Sequence, residues 1–441
     1  MGRTKMQRRV IAMSAVWLMA CGAATGADAS PPTDGADDAE RVAALEDTRL
    51  AVSEDVEVAD AASARLRARG PEGLAAIVAA HPDTLASLRD GERTPRGERL
   101  RRAIDRVSAQ RDGHASGLYW HTDLPSAMAD AERTGRPILS LRLLGRLDEE
   151  MSCANSRYFR IVLYSHPELA ATLRRDWVLH WSSERPAPRI TIDMGDGRQI
   201  QTTITGNSVH YVLNAAGRPV DAMVGLYTPE AFGDALAESQ AMLACEDEAC
   251  LARQHQSQRQ AFETRWAEHD GEIISLRRAK GQLPRDRVAP GFPSATSAMQ
   301  LTMGKMFVET PLLTALGADR PPEERVNWEH IGNVLYGQGT RDQSPLHPET
   351  QALLRLKTRR ANVGEMAVRL AEVARADTAR NEVLFRLRIR ELFVSRAATT
   401  RTLDGMNAFV YERLLETPIT DPWLGLRAPD LYDGVEVRTL D

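Results

Sequence analysis

The strongest constraint on what this chain can fold into is the way its apolar period changes between Leu118 and Ala244. Asp123 is a good N-cap ahead of Leu124-Pro125, and Leu124, Met128 and Ala131 then recur at helical spacing until Gly135-Arg136-Pro137 stops them. Ile138–Leu144 alternates as a strand. Ser165-His166-Pro167-Glu168 reads as a capping box opening a helix to about Asp176, and Val178–Trp181 is a second short strand. Gly195-Asp196-Gly197 divides Arg189–Met194 from Arg198–Thr205, a hairpin signal because Asp-Gly tolerates positive φ. Val209–Leu213 and Pro219–Val224 flank a second turn at 214–218, and Thr228-Pro229-Glu230 opens a last helix to about Ala244. Alternation of this kind excludes an all-helical or all-β middle.

The order resembles the thioredoxin-like fold family over about residues 118–242. Trp120 ahead of Thr134-Gly135-Arg136-Pro137, Cys153-Ala154-Asn155-Ser156 at the start of the active-site helix, and His166-Pro167-Glu168-Leu169 running to Trp177-Val178 carry the likeness. Gly206-Asn207-Ser208-Val209 matches the strand that begins at the family's cis-proline. The resemblance implies an α+β chain with a central thioredoxin-like α/β/α sandwich, and a substrate groove at Asn207 and Ser208. It also implies a nucleophilic thiol at Cys153. This sequence departs from the family in that the resolving Cys is Ser156, the cis-proline position is Ser208, and Gly145–Met151 adds a loop before the thiol. A dithiol enzyme needs the second sulfur to release its mixed disulfide, so full turnover is not expected. Cys153 with Ser156 could act as a monothiol (CxxS) redox site, because a helix N-terminus and Arg157 favour thiolate. Asp148, Glu149 and Glu150 oppose that, and burial as a small apolar side chain is the competing reading.

The flanks differ from this middle. Residues 1–9 carry Arg3, Lys5, Arg8 and Arg9 and no acid, and Val10–Ala20 is apolar but too short to span a bilayer. Leu18-Met19-Ala20-Cys21 resembles the bacterial lipobox, which implies cleavage before Cys21 and a lipid on its sulfur. An ordinary secretory cut after Ala27-Asp28-Ala29, or an uncleaved anchor, are the alternatives. Each exports the chain. Residues 22–40 are small, acidic and Pro-containing and read as a tether. Residues 41–117 read as a helical lead-in and 245–441 as a helical C-terminal domain, with apolar stripes at 349–360, 363–376 and 381–394. Asp377-Thr378 and Asn381-Glu382 put polar groups on one helical face, which could mark a site but better suits a solvated face or an interhelical hydrogen-bond set. Trp423 reads as docking back onto the helices.

Composition bounds the function. A net charge of −5, falling to −9 without the leader, and 5% aromatics give no footprint for nucleic acid. Four Cys exclude a disulfide scaffold. In an oxidising compartment Cys245 and Cys250 can bridge a helix–helix corner, provided the helix breaks between them; two thiols or a redox pair are the other readings. His255 alone makes no metal site, and no cofactor motif occurs. Trp177, His180 and Trp181, and His210 beside Tyr211, suit a core better than a pocket. The expectation is an extracytoplasmic protein of the periplasm or outer membrane, held to the membrane by lipid on Cys21 or else secreted. Its degenerate thioredoxin-like domain would serve as a binding scaffold for an envelope protein; the alternative is a monothiol redox protein using Cys153.

Overall fold

The computed structural model describes residues 34–203, 206–267, 328–337, 346–358, 361–422 and 424. Cys21, the leader, both candidate cleavage sites, the sequence from 268 to 327 and Trp423 lie outside the described residues. The described part of residues 1–42 is helical. Residues 43–441 form one compact unit, described below.

Helix α1 (Asp34–Leu50) begins inside the stretch read as a tether, so that reading is corrected at residues 34–40. Four more helices follow: α2 (Val56–Ala68), α3 (Pro71–Ala80), α4 (Pro82–Arg89) and α5 (Pro95–Ser108). Each of the last three starts on proline, whose missing N–H costs nothing in a first turn. In α5 the Thr94 hydroxyl caps the Gly97 N–H at 3.0 Å. Leu100, Ala103, Ile104 and Val107, spaced by three and four, bury one face against Leu66, Leu74, Ile77 and Leu88. The short α6 (Gly113–Ser116) leads to the sheet.

The chain is a mixed α/β protein around a five-stranded mixed sheet. Its strands are β1 (Trp120–His121), β2 (Ile138–Leu144), β3 (Val178–Arg185), β6 (Ser208–Leu213) and β7 (Pro219–Val224), in the spatial order β1-β3-β2-β6-β7. β1, β3 and β2 run parallel, and β6 and β7 are antiparallel additions. Both faces of β2, β6 and β7 are buried, so the alternation read at Ile138–Leu144 does not mark a solvent-facing side. β4 (Arg189–Asp193) and β5 (Gln199–Thr203) form a separate ribbon whose turn is held by Asp193 and Asp196 side chains on the Gly195 and Arg198 N–H groups.

Helices α7 (Leu124–Thr134), α8 (Ala154–Tyr158, continued by a π turn, Phe159–Leu163), α9 (Pro167–Asp176) and α10 (Pro229–Leu243) connect or follow the strands. Asp123 caps α7 through the Ser126 N–H, and Thr228 caps α10 through the Ala231 N–H. The expected capping box at α9 is absent: the Ser165 hydroxyl turns back to the Ile161 carbonyl, and His166 makes no side-chain cap. α11 (Glu248–Ala267), α12 (Trp328–Tyr336), α13 (Pro348–Thr358), α14 (Gly364–Asn381), α15 (Leu387–Val394) and α16 (Leu403–Phe409) follow. π turns at Glu382–Arg386 and Val410–Leu414 join α14 to α15 and extend α16. The C-terminal helices share the sheet's apolar core: Phe385, Ile389, Met406, Val410 and Tyr411 belong to the same buried cluster as Leu141, Val209 and Met223. No described helix is long and apolar enough to cross a membrane.

Two buried ionic networks fasten this arrangement. In the first, Lys357 of α13 lies 2.9 Å from Asp112 and 2.6 Å from Glu150, while Arg111 reaches Asp105 at 3.1 Å and Glu150 at 2.8 Å. Burial, with Asp112 adjacent, pushes the Asp105 carboxyl up to about 7 against the pull of Arg111 and Arg101. Burial also acts on Glu150, but Lys357 and Arg111 outweigh it and hold that carboxyl down at about 2. In the second, Arg386 meets Asp221 of β7 at 2.6 Å with both side chains fully buried, and also donates to the Ala222 carbonyl. Burial disfavours the Arg386 charge, yet Asp221, Glu382 and Glu238 outweigh it and raise its pKa further. Gly225, at φ +86°, ends β7 beside this network; a Cβ there would sit 2.6 Å from Asn381 Nδ2, which donates to the Leu226 carbonyl.

Candidate functional site

Cys153 is the N-cap of α8 and its sulfur accepts the Ser156 N–H at 3.4 Å. The helix mouth expected from the sequence is therefore present, but it does not face solvent: Cys153, Asn155, Ser156, Asn207 and Ser208 are all fully buried. Asn155 Nδ2 donates to Ser208 Oγ at 2.8 Å, tying α8 to the first residue of β6. Ser156 Oγ makes no hydrogen bond among the described residues. The expected groove residues are thus brought together with the thiol, and no peptide bond among the described residues is cis.

What covers them comes from far along the chain. Tyr411 OH donates to the Asn207 carbonyl at 3.2 Å, and Asn207 Nδ2 donates to Thr417 Oγ1 at 2.5 Å. Asn407 accepts from Tyr211 OH at 3.2 Å and donates to Glu184 at 2.9 Å. Burial raises the Tyr411 phenol well above its ordinary range, and the neighbouring Glu184, Tyr211 and Cys153 add to that shift. Phenol and thiol are both fully buried, in the same core cluster. The charges expected to tune Cys153 are engaged elsewhere. Arg157 donates to Thr203 Oγ1 at 3.2 Å, Asp148 and Glu149 pair with Arg146, and Glu150 pairs with Arg111 and Lys357.

The remaining residues singled out from sequence lie in the core. His180 Nδ1 meets Ser140 Oγ at 2.8 Å, and burial pushes its pKa down to about 3. His210 Nε2 meets Tyr164 OH at 2.6 Å among the rings of Phe159 and Phe232, and burial likewise takes it to about 3. Trp177 is buried, and Trp181 donates its indole N–H to the Ala109 carbonyl. Thr378 accepts the Thr228 N–H at 2.9 Å, an interhelical bond of the kind expected for that face. Cys245 and Cys250 form a disulfide with Cα atoms 5.4 Å apart, across the break between α10 and α11. His255 donates its Nε2–H to the Val220 carbonyl at 2.9 Å and stacks on Phe393. No cluster of metal-ligating side chains occurs among the described residues.

Sequence reasoning missed one feature. A cleft of about 590 Å³ opens where α2 and α5 meet the end of β3 and the loop after β2. Its walls carry Arg67, Arg106 and Arg146 with Asp60 and Asp148, and Trp181 forms part of its floor beneath the Arg146 guanidinium. These residues come from four separate parts of the chain, and no local pattern links them. The size lies within the ~300–1,000 Å³ usual for small-ligand sites. No protein-family model, no curated protein and no solved structure matches this chain.

Proposed function

We propose that this chain is an exported, lipid-anchored cell-envelope protein whose central thioredoxin-like sheet is a redox-silent binding scaffold. The strand order β1-β3-β2-β6-β7, three parallel strands followed by two antiparallel ones, supports the fold assignment, as does a Cys at the mouth of the helix after β2. The observation that carries the redox-silent reading is the complete burial of Cys153, with Ser156 where a resolving thiol would stand. Thiol–disulfide exchange requires one sulfur to reach another, and the Cys153 sulfur has no exposed surface.

An insulin-reduction assay with dithiothreitol tests the reading. The expected rate equals that of a Cys153→Ser variant; turnover that depends on Cys153 supports the monothiol enzyme instead. The lipid anchor rests on Leu18-Met19-Ala20-Cys21 and the basic leader before it. It is tested by incorporation of labelled palmitate in a bacterial host, expected in the wild type and lost in Cys21→Ser. Labelling that survives this substitution, or a mature mass that starts after Ala29, removes the anchor.

A further inference from the structure

β1 is only two residues long because Asp123 turns the chain into α7, yet its neighbour β3 continues to Arg185. In a parallel ladder, alternate residues send both backbone groups to the same side. The Val178 N–H donates to the Pro137 carbonyl beside β2 at 2.9 Å. That assigns Val178, His180 and Ser182 to β2, and Leu179, Trp181 and Ser183 to the opposite edge. β1 pairs with β3 at Leu179 and His180 and then leaves. The N–H and C=O of Ser183 therefore point past the end of β1, into the cleft that Ser183 helps to line.

The cleft is lined by three arginines, Arg67, Arg106 and Arg146, against two carboxylates, Asp60 and Asp148, which leaves one positive charge in excess. Arg67 donates to the Val107 and Trp120 carbonyls at 2.9 and 3.0 Å, and no carboxylate among the described residues lies within ion-pair distance of it. Arg106 pairs with Asp60 and Arg146 with Asp148, but these two arginine side chains remain 47% and 51% exposed and can turn toward a ligand. Arg67 closes the outer edge of β1 itself, through the Trp120 carbonyl, so the open stretch of edge is confined to the cleft.

We propose that this notch takes an extended peptide with acidic side chains, which adds to the Ser183 edge of β3 in the place that β1 vacates. Main-chain bonds to the strand supply affinity, and the arginines on the rim select the acidic residues. The inference rests on the reading of the chain as a binding module and names the surface that binds. Its test is independent of Cys153.

The probe is a fluorescein-labelled peptide of alternating Val and Glu, titrated into the full chain by anisotropy. A Val–Lys counterpart and a Val–Glu peptide N-methylated at alternate residues serve as controls. Saturable binding of the Val–Glu peptide is expected, with both controls weaker by about tenfold or more, the scale of a lost charge pair or strand bond. Amide exchange at Ser183 should slow on binding, and Arg106→Gln should weaken binding several-fold without changing the melting temperature. Equal binding of the Glu and Lys peptides, binding without protection at Ser183, or no saturation at millimolar peptide would each overturn the proposal. A chain inert toward insulin that also fails to bind the peptide loses only this inference. One that binds the peptide but reduces insulin through Cys153 loses only the redox-silent reading.

Discussion

A ligand could approach the central sheet at two places, and they are built in opposite ways. At the α8 end, Cys153, Asn207 and Ser208 are fully buried, and Tyr411, Thr417 and Asn407, which bond to Asn207 and Tyr211, are themselves buried. At the β3 edge, a strand end meets a cleft rimmed by half-exposed arginines. The closed end holds the chemistry that the thioredoxin-like resemblance would assign to a reactive site. The open end holds none of those residues. The comparison teaches that distant parts of a chain can bury the position where a resemblance would put a reactive thiol.

The largest effect is expected where the closed end is fastened. Arg386→Ala leaves Asp221 buried without its partner, which costs about 3–5 kcal/mol; urea denaturation should show that loss. Replacing the pair together, Arg386→Met with Asp221→Asn, should recover most of it. An Arg386→Ala loss below about 1 kcal/mol would mean that the C-terminal helices are not tied to β7 through this pair. Tyr411→Ala removes a fully buried ring from the core cluster that holds Cys153, for which core truncations give about 3–5 kcal/mol. The same variant should make Cys153 accessible to iodoacetamide under native conditions. Tyr411→Phe deletes only the bond to the Asn207 carbonyl and should cost about 1 kcal/mol with the thiol still closed.

The pH dependence comes next in size. His114 and His255 are held down at about 4, and His180 and His210 at about 3, in each case chiefly by burial. Their folded pKa values lie below the ordinary 6.5, so they contribute stability that is present above that pH and lost as the pH falls toward 4 and 3. Asp105 has the opposite sign. Its folded pKa of about 7 exceeds the ordinary 3.8, so its contribution is full at low pH and lost as the pH rises toward 7. Between about 4 and 6.5 the two effects oppose each other. Asp105→Asn should therefore steepen the loss of stability on acidification across that window; an unchanged slope would show that Asp105 is ionised in the folded state. The smallest effect belongs to the open end. Arg106→Gln breaks a part-exposed pair with Asp60 and should change stability by less than about 1 kcal/mol.

Much of the sheet was legible because its signals are local. Asp123 and Thr228 cap helices through N–H groups three residues on, the turn at 193–198 is closed by its own Asp side chains, and the chain breaks between Cys245 and Cys250 as a bridge there requires. Ser165 misled because its hydroxyl had two carbonyl or N–H targets within reach, and the preceding helix end won. The cover over Cys153 was illegible for a different reason. The Tyr411–Asn207 bond spans 204 residues and the Arg386–Asp221 pair 165, and periodicity reports which face of a helix is apolar without naming what it packs on. The acids at 148–150 looked like neighbours of the thiol in sequence, yet their charge is taken up by Arg146, Arg111 and Lys357, the last from a helix two hundred residues away.

The claim that everything else depends on is that residue 153 carries a sealed sulfur. Native protein treated with excess iodoacetamide at pH 7.5, quenched over time and digested, reports the alkylated fraction of the peptide containing Cys153 by mass, separately from Cys21. The account predicts alkylation orders of magnitude slower than that of cysteine in solution, rising to completion only in denaturant. Native alkylation at the rate of dissolved cysteine would contradict it.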